Sequence, residues 1–210
     1  AHSAQSTAKV MQLVIWATVP GILVLTWQFG WGSLINVAIA SVTAVICEAL
    51  IVKMRGRSVR FYLSDYSAIV TALLLGLSLP PLAPWWIIVV GTVFSIVVAK
   101  QLYGGLGYNP FNPAMVGYAV MIVSFPLAMS NWPVLFDSTV DGVTGATPLD
   151  IMKFRGATTI DEIWTTANGF SSLSSTPWQW INIGYLAGGV ILIYYKCCNW
   201  QAPLAMLLAL

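Results

Sequence analysis

Charge is what this chain has least of. Only 8% of its 210 residues are Asp, Glu, Lys or Arg, where a soluble domain carries about a quarter. At this length a soluble fold could not cover its surface with so few charges. The net charge is +2 and the basic residues form no patch, which removes nucleic acid as a partner. There is one histidine, His2, near the start of the chain. The three cysteines, Cys47, Cys197 and Cys198, form no C-x-x-C pair and have no histidine beside them. They read as buried or interfacial thiols, and neither a zinc site nor an iron–sulfur cluster is expected. No nucleotide-binding glycine motif is present, so no metal ligands and no catalytic residues are assigned. The first apolar run lacks a basic leader and a small-residue cleavage site, so it is expected to be a retained helix.

Apolar side chains fill the space that charge leaves. They make up 58% of the sequence and bring the mean hydropathy to +0.81. The expected fold is an all-α integral membrane protein, a polytopic helical bundle with broken helices. A span needs about 20 apolar residues. Val10 to Gln28 is the first, with a kink expected at Pro20-Gly21. Leu34 to Val52 is the second, after a tight turn from Phe29 to Ser33. The third runs from Leu63 to Leu79 and stops at Pro80-Pro81, and the fourth from Trp85 to Ala99 with Lys100 at its end. The fifth covers Pro113 to Ala128. A polar loop, Met129 to Pro177, precedes a sixth span from Trp178 to Tyr195, capped by Lys196. Pro203 to Leu210 reads as the start of a seventh. Trp85-Trp86, Trp178 with Trp180, and Tyr194-Tyr195 fall at span ends, where interfacial aromatics belong.

Orientation follows from the basic residues. Lys9, Lys53, Arg55, Arg57, Arg60, Lys100 and Lys196 share one side, seven of the nine; Lys153 and Arg155 lie on the other. The basic side is expected in the cytoplasm and the polar loop outside. Glu48 and Asp65 are the only acids close to the membrane core. With Lys53, Arg55 and Arg60 nearby, snorkelling ion pairs are expected, with an ion path as the alternative. Residues 101–113 hold three glycines and two Asn-Pro steps, which no regular helix accepts. One reading is a loop with Asn112 as helix cap and Pro113 at the first helical position. The other is a broken helix whose free backbone groups face a cofactor or ion.

Residues 141–147 read Asp-Gly-Val-Thr-Gly-Ala-Thr. They resemble the acceptor motif D-x-x-[S/T]-G-A-T, on which a flavin transferase esterifies FMN to the last threonine. Lys100 to Tyr118, Pro80 to Trp86, and Asp141 to Asp150 are similar to the signatures of the RnfD (RsxD) family, membrane components of the ion-translocating electron-transport complex called Rnf or Rsx. The likeness covers essentially the whole chain. The related NqrB component of a sodium-pumping NADH:quinone oxidoreductase shares the N-x-F-N-P and G-A-T elements.

The resemblance implies a covalent FMN on Thr147, with Asp141, Thr144, Gly145 and Ala146 shaping the attachment site. It implies a separate flavin transferase, since nothing in the chain activates the Thr147 hydroxyl, and a second, non-covalent flavin such as riboflavin. It further implies electron transfer between ferredoxin and NAD coupled to Na⁺ or H⁺ movement in a bacterial inner membrane, with the other Rnf/Rsx subunits (A, B, C, E and G) as partners. Family members have ten spans, so this chain is expected to be truncated in the seventh. Residues 1–128 would be the first membrane half, 129–177 the periplasmic flavin loop and 178–210 the start of the second half. The alternatives are an NqrB-like protein and a cofactor-free channel or transporter.

Overall fold

The computed structural model describes residues 6–130, 132–133, 144–145 and 177–201. Helix α1 (Thr7–Phe29) is capped by Ser6, whose hydroxyl accepts from the Lys9 amide. It ends at Gly30, which takes a φ of 76° that a side chain would resist. The helix continues through Pro20. Gly21 lies beneath the Tyr185 ring, which occupies the space a Cβ would need. Helix α2 (Gly32–Met54) returns antiparallel. These two are 23 residues each and long and apolar enough to cross a membrane, with most of their apolar surface facing outward.

The third expected span is split. A short α3 (Val59–Leu63) stops at Ser64, and α4 (Ser67–Ser78) starts after Tyr66, held at a φ of 60°. Asp65, one residue before the Tyr66 N-cap, holds the break: its carboxylate accepts from both the amide and the hydroxyl of Ser67, the first residue of α4. The fourth span begins as α5 (Trp85–Val93) and widens into a π-helical segment, Phe94–Gln101. The fifth is also divided, because Pro126 has no amide to continue the ladder. It forms α6 (Pro113–Ser124) and α7 (Pro126–Met129). A two-residue ladder pairs β1 (Trp132–Pro133) with β2 (Thr144–Gly145), and α8 (Pro177–Tyr194) closes the described bundle. The chain is an all-α membrane protein.

Helix α2 is the hub. Ser33, Asn36, Ala40, Ala44, Glu48 and Val52 form its buried stripe, and the alanines let α4, α5 and the π segment approach closely. Ala40, Ala44, Ala72, Leu75, Ile88, Ile96 and Met121 meet in the core. The opposite face of α2 presents Ile35, Val42, Ile46 and Leu50 outward. Apolar residues both inside and outside are what a bundle in lipid requires. Helix α8 runs antiparallel along α1, with Gly184 against Gly21 and Gly188 against Ala17.

The proline break after α4 is tied to the core by Asn36, whose amide donates to the Pro80 carbonyl at 2.9 Å. Removing that donor strands a buried carbonyl. Asn36→Ala is therefore expected to cost about 1–3 kcal/mol, read as a lower midpoint of thermal unfolding in detergent. An unchanged midpoint would mean that the carbonyl finds another donor.

Candidate functional site

Helix directions bring all seven described basic residues to one end of the bundle. Lys9 starts α1, Lys53 ends α2, Arg55, Arg57 and Arg60 follow it, Lys100 closes the π segment and Lys196 follows α8. Parity therefore survives the split third span. Just inside this end lies the most polar cluster of the described interior.

Its centre is Glu48. Lys100 Nζ sits 2.6 Å from Glu48 Oε1, and each side chain is 1% exposed. The same oxygen accepts from Gln101 Nε2 at 2.8 Å. Successive residues on an α-helix point about 100° apart. The wider π turn, marked by the Leu102 amide reaching back to the Val97 carbonyl, brings Lys100 and Gln101 onto one carboxylate oxygen. Local π geometry of this kind recurs at functional sites. Lys100 Nζ also donates to Ser67 Oγ at 2.6 Å, and that hydroxyl donates to Asp65 Oδ1 at 2.6 Å. Arg55 grips the far side of Gln101, donating to its backbone carbonyl and, at 3.4 Å, to its side-chain oxygen. Glu48 Oε2 is buried and has no hydrogen-bond partner among the described residues.

This corrects the sequence expectation for the acids. Glu48 does not snorkel to Lys53, Arg55 or Arg60. It pairs with Lys100, which the apolar run placed at the end of the fourth span. Asp65 binds Ser67, the first residue of α4, instead of meeting an arginine. Residues 101–113 take the loop-and-cap form. Asn112 Oδ1 accepts from the Ala114 amide at 3.0 Å, with Pro113 at the first helical position. The preceding turn is irregular, with Gly104, Gly105 and Gly107 all at positive φ. It borders a cavity of about 690 Å³ lined by Asp65, Arg57, Tyr62, Tyr103 and Tyr108. Arg57 donates to the Tyr62 hydroxyl at 2.7 Å. Among the described residues no cluster of His, Cys, Asp or Glu could hold a metal.

The expected attachment residues lie away from this cluster. The backbone of Thr144 and Gly145 pairs with Pro133 and Trp132. The Trp132 ring meets Phe29, at the end of α1, edge-on at 5.7 Å. That is the end of the bundle opposite the basic residues. Asp141, Ala146 and Thr147 lie outside the described residues, as does the start of the expected seventh span.

The sequence model of one family, described as NQR2, RnfD, RnfE, matches residues 1–210. The chain belongs to the NQR2, RnfD, RnfE family. Among family relatives, the D subunit of the ion-translocating oxidoreductase complex of Alcanivorax borkumensis is 49% identical over 222 aligned residues, covering 98% of this chain and 65% of that protein. The proteins of the same name from Salmonella paratyphi A and Salmonella newport are each 41% identical, covering all of this chain and 68% of theirs. The chain thus spans about two thirds of the length of these relatives. The Glu48–Lys100 pair is the part of the site that sequence reasoning missed. One signal for it was available. Glu48 continues the small-residue stripe of Ala40 and Ala44, which makes it a packing-face residue.

Proposed function

We propose that this chain is part of the D subunit of an ion-translocating oxidoreductase complex in a bacterial inner membrane. It would be a translocase component without a catalytic centre of its own. It would carry FMN on the Thr147 hydroxyl, placed there by a flavin transferase, and relay electrons between ferredoxin-side and NAD-side partners, the other Rnf/Rsx subunits (A, B, C, E and G). Na⁺ or H⁺ movement would accompany that transfer. The basic end is then cytoplasmic and residues 141–147 face the periplasm.

The observation that carries this reading is the separation of the two ends. All described basic residues gather at one, and Thr144–Gly145 pairs at the other. A positive-inside orientation then puts the acceptor motif in the outer compartment. The threonine hydroxyl is chemically suited to a phosphoester, and Gly145 and Ala146 leave room for a transferase to approach the backbone. Bound there, a flavin supplies the electron-carrying chemistry. A tether suits that compartment, because a free cofactor would lose about 4–15 kcal/mol in translational and rotational freedom at each binding.

A second, non-covalent flavin such as riboflavin would have the cavity at the basic end, beside residues 101–113, as its candidate site. The cavity volume, about 690 Å³, is within the usual range of small-molecule sites, roughly 300–1,000 Å³. Tyr62, Tyr103 and Tyr108 are among its lining residues, with Ser64 and Asp65 as polar neighbours.

Intact-mass spectrometry of the full-length protein, co-expressed with a flavin transferase, tests the attachment. The expected species is heavier than the bare chain by FMN less water. A spectrum showing the bare chain alone would remove the reading. Identification of the acceptor used by the purified complex separates it from an NqrB-like quinone reductase.

A further inference from the structure

A hydrogen-bonded line leads from the cavity to the membrane interior. Asp65 lines the cavity. Its Oδ1 accepts from Ser67 Oγ, Ser67 Oγ accepts from Lys100 Nζ, and Lys100 Nζ meets Glu48 Oε1, each step 2.6 Å long. Glu48 lies six residues before the end of α2, about 9 Å inward at 1.5 Å per residue. We propose that Asp65, Ser67 and Lys100 form a proton relay joining the cavity at the basic end to Glu48 within the bundle.

A merely structural ion pair would need less than this. Lys100 and Gln101 already satisfy one carboxylate oxygen, yet Glu48 Oε2 is left buried and without a partner among the described residues. Such an oxygen is costly to leave unpaired, and a proton placed there would displace no bond. Ser67 both accepts and donates, as an intermediate in proton transfer must. The transfer balances. A proton from solvent binds the Asp65 carboxylate. Lys100 gives one of its protons to Glu48 Oε1, and the carboxyl turns to leave it on the unpartnered oxygen. The Ser67 hydroxyl, which at rest accepts from Lys100 and donates to Asp65, turns to give its proton to the neutral amine, and protonated Asp65 refills it. One proton has moved from solvent to Glu48, and Lys100 is again an ammonium, Ser67 a hydroxyl and Asp65 a carboxylate.

The cluster favours a proton over a metal cation. Glu48 Oε2 is a single free oxygen beside the Lys100 ammonium, whose charge repels a metal cation, while the line of N–H and O–H groups passes protons. Few other groups compete. Helices α4 and α5 carry no titratable side chain, and α6 carries Tyr118 alone. On α2 Cys47 and Lys53 flank Glu48, and α3 adds Arg60 and Tyr62. Arg55 reaches the cluster only through Gln101.

The relay deepens the ion-movement half of the proposed function and rests on it. Its test needs no flavin, so its failure is read separately from failure at Thr147. The full-length protein in lipid nanodiscs is followed by time-resolved infrared spectroscopy after a rapid drop in pH. The carbonyl stretch of protonated Glu48 is identified by its absence in Glu48→Gln. Ser67→Ala and Asp65→Asn are expected to slow the appearance of that band about a hundredfold, the scale of a lost positioned proton-transfer group. Ser67→Thr keeps the hydroxyl and is expected to keep the wild-type rate. Heavy water is expected to slow the wild type, which serves as the test if Ser67→Ala does not fold. Three results would each overturn the relay: a wild-type rate in folded Ser67→Ala, no isotope effect in the wild type, or a band that answers to sodium ions at fixed pH.

Discussion

Lys100→Met is expected to destabilise the protein by about 3–5 kcal/mol, because it leaves the Glu48 carboxylate buried without its counter-charge. Glu48 and Lys100 are each 1% exposed, and neither has solvent to fall back on. Gln101 would remain as the sole donor to Glu48 Oε1, a neutral amide facing a full charge. For a chain of this size the loss corresponds to a drop of roughly 10 °C in Tm, measurable as loss of monodisperse protein after heating in detergent. Glu48→Gln alone is expected to be similarly costly, since it strands an ammonium instead. The decisive variant is the pair Glu48→Leu with Lys100→Met. Apolar residues of similar volume often replace a buried ion pair at little cost. The double variant is therefore expected to recover much of what either single change loses. Recovery stays incomplete because Ser67 and Gln101 each lose a partner. Coupling between the two positions is the quantity to report. Single and double variants of equal, near-wild-type stability would show that the pair holds nothing in place.

That pair also marks where sequence reasoning stops. Apolar runs reveal spans because a bilayer sets their length. Proline and asparagine reveal stops and caps because their constraints act within a few residues. Hence the end at Pro80-Pro81, the Asn112 cap and the basic end were all legible. Partner choice across the bundle was not. Glu48 has Lys53, Arg55 and Arg60 close in sequence, and its ion-pair partner is 52 residues away. Two local events redirect it. The Asp65–Ser67 turn interrupts the third span and sets Ser67 at the start of α4. The π segment then turns Lys100 inward at what the hydropathy pattern marks as a helix end. Neither leaves a trace in periodicity, since a π turn inside an apolar run looks like more apolar run. The proposed acceptor shows the reverse case. Its reading rests on resemblance to a known motif, because the seven residues from Asp141 to Thr147 specify no geometry by themselves.

Thr147→Ala is expected to abolish flavin fluorescence of the denatured protein completely. The effect is all-or-none because the substitution removes the only atom, Oγ1, through which a phosphoester at that position could form. Non-covalent flavin departs on denaturation, so a band seen under ultraviolet light after denaturing electrophoresis reports the covalent group alone. Thr144→Ala is the paired control. Its backbone position in the two-residue ladder with Pro133 does not depend on the side chain, so a reduced but detectable band is expected. Folding gives an independent check. Gly145, two residues earlier, pairs at the end of the bundle opposite Glu48 and Lys100. Distant sites of this kind act independently, so Thr147→Ala is expected to leave thermal stability within about 0.5 kcal/mol of wild type. A variant that folds normally and stays dark isolates the hydroxyl as the point of attachment. A fluorescent Thr147→Ala band would move the attachment elsewhere, and a reporter fusion placing residues 141–147 in the cytoplasm would overturn the orientation on which the assignment rests.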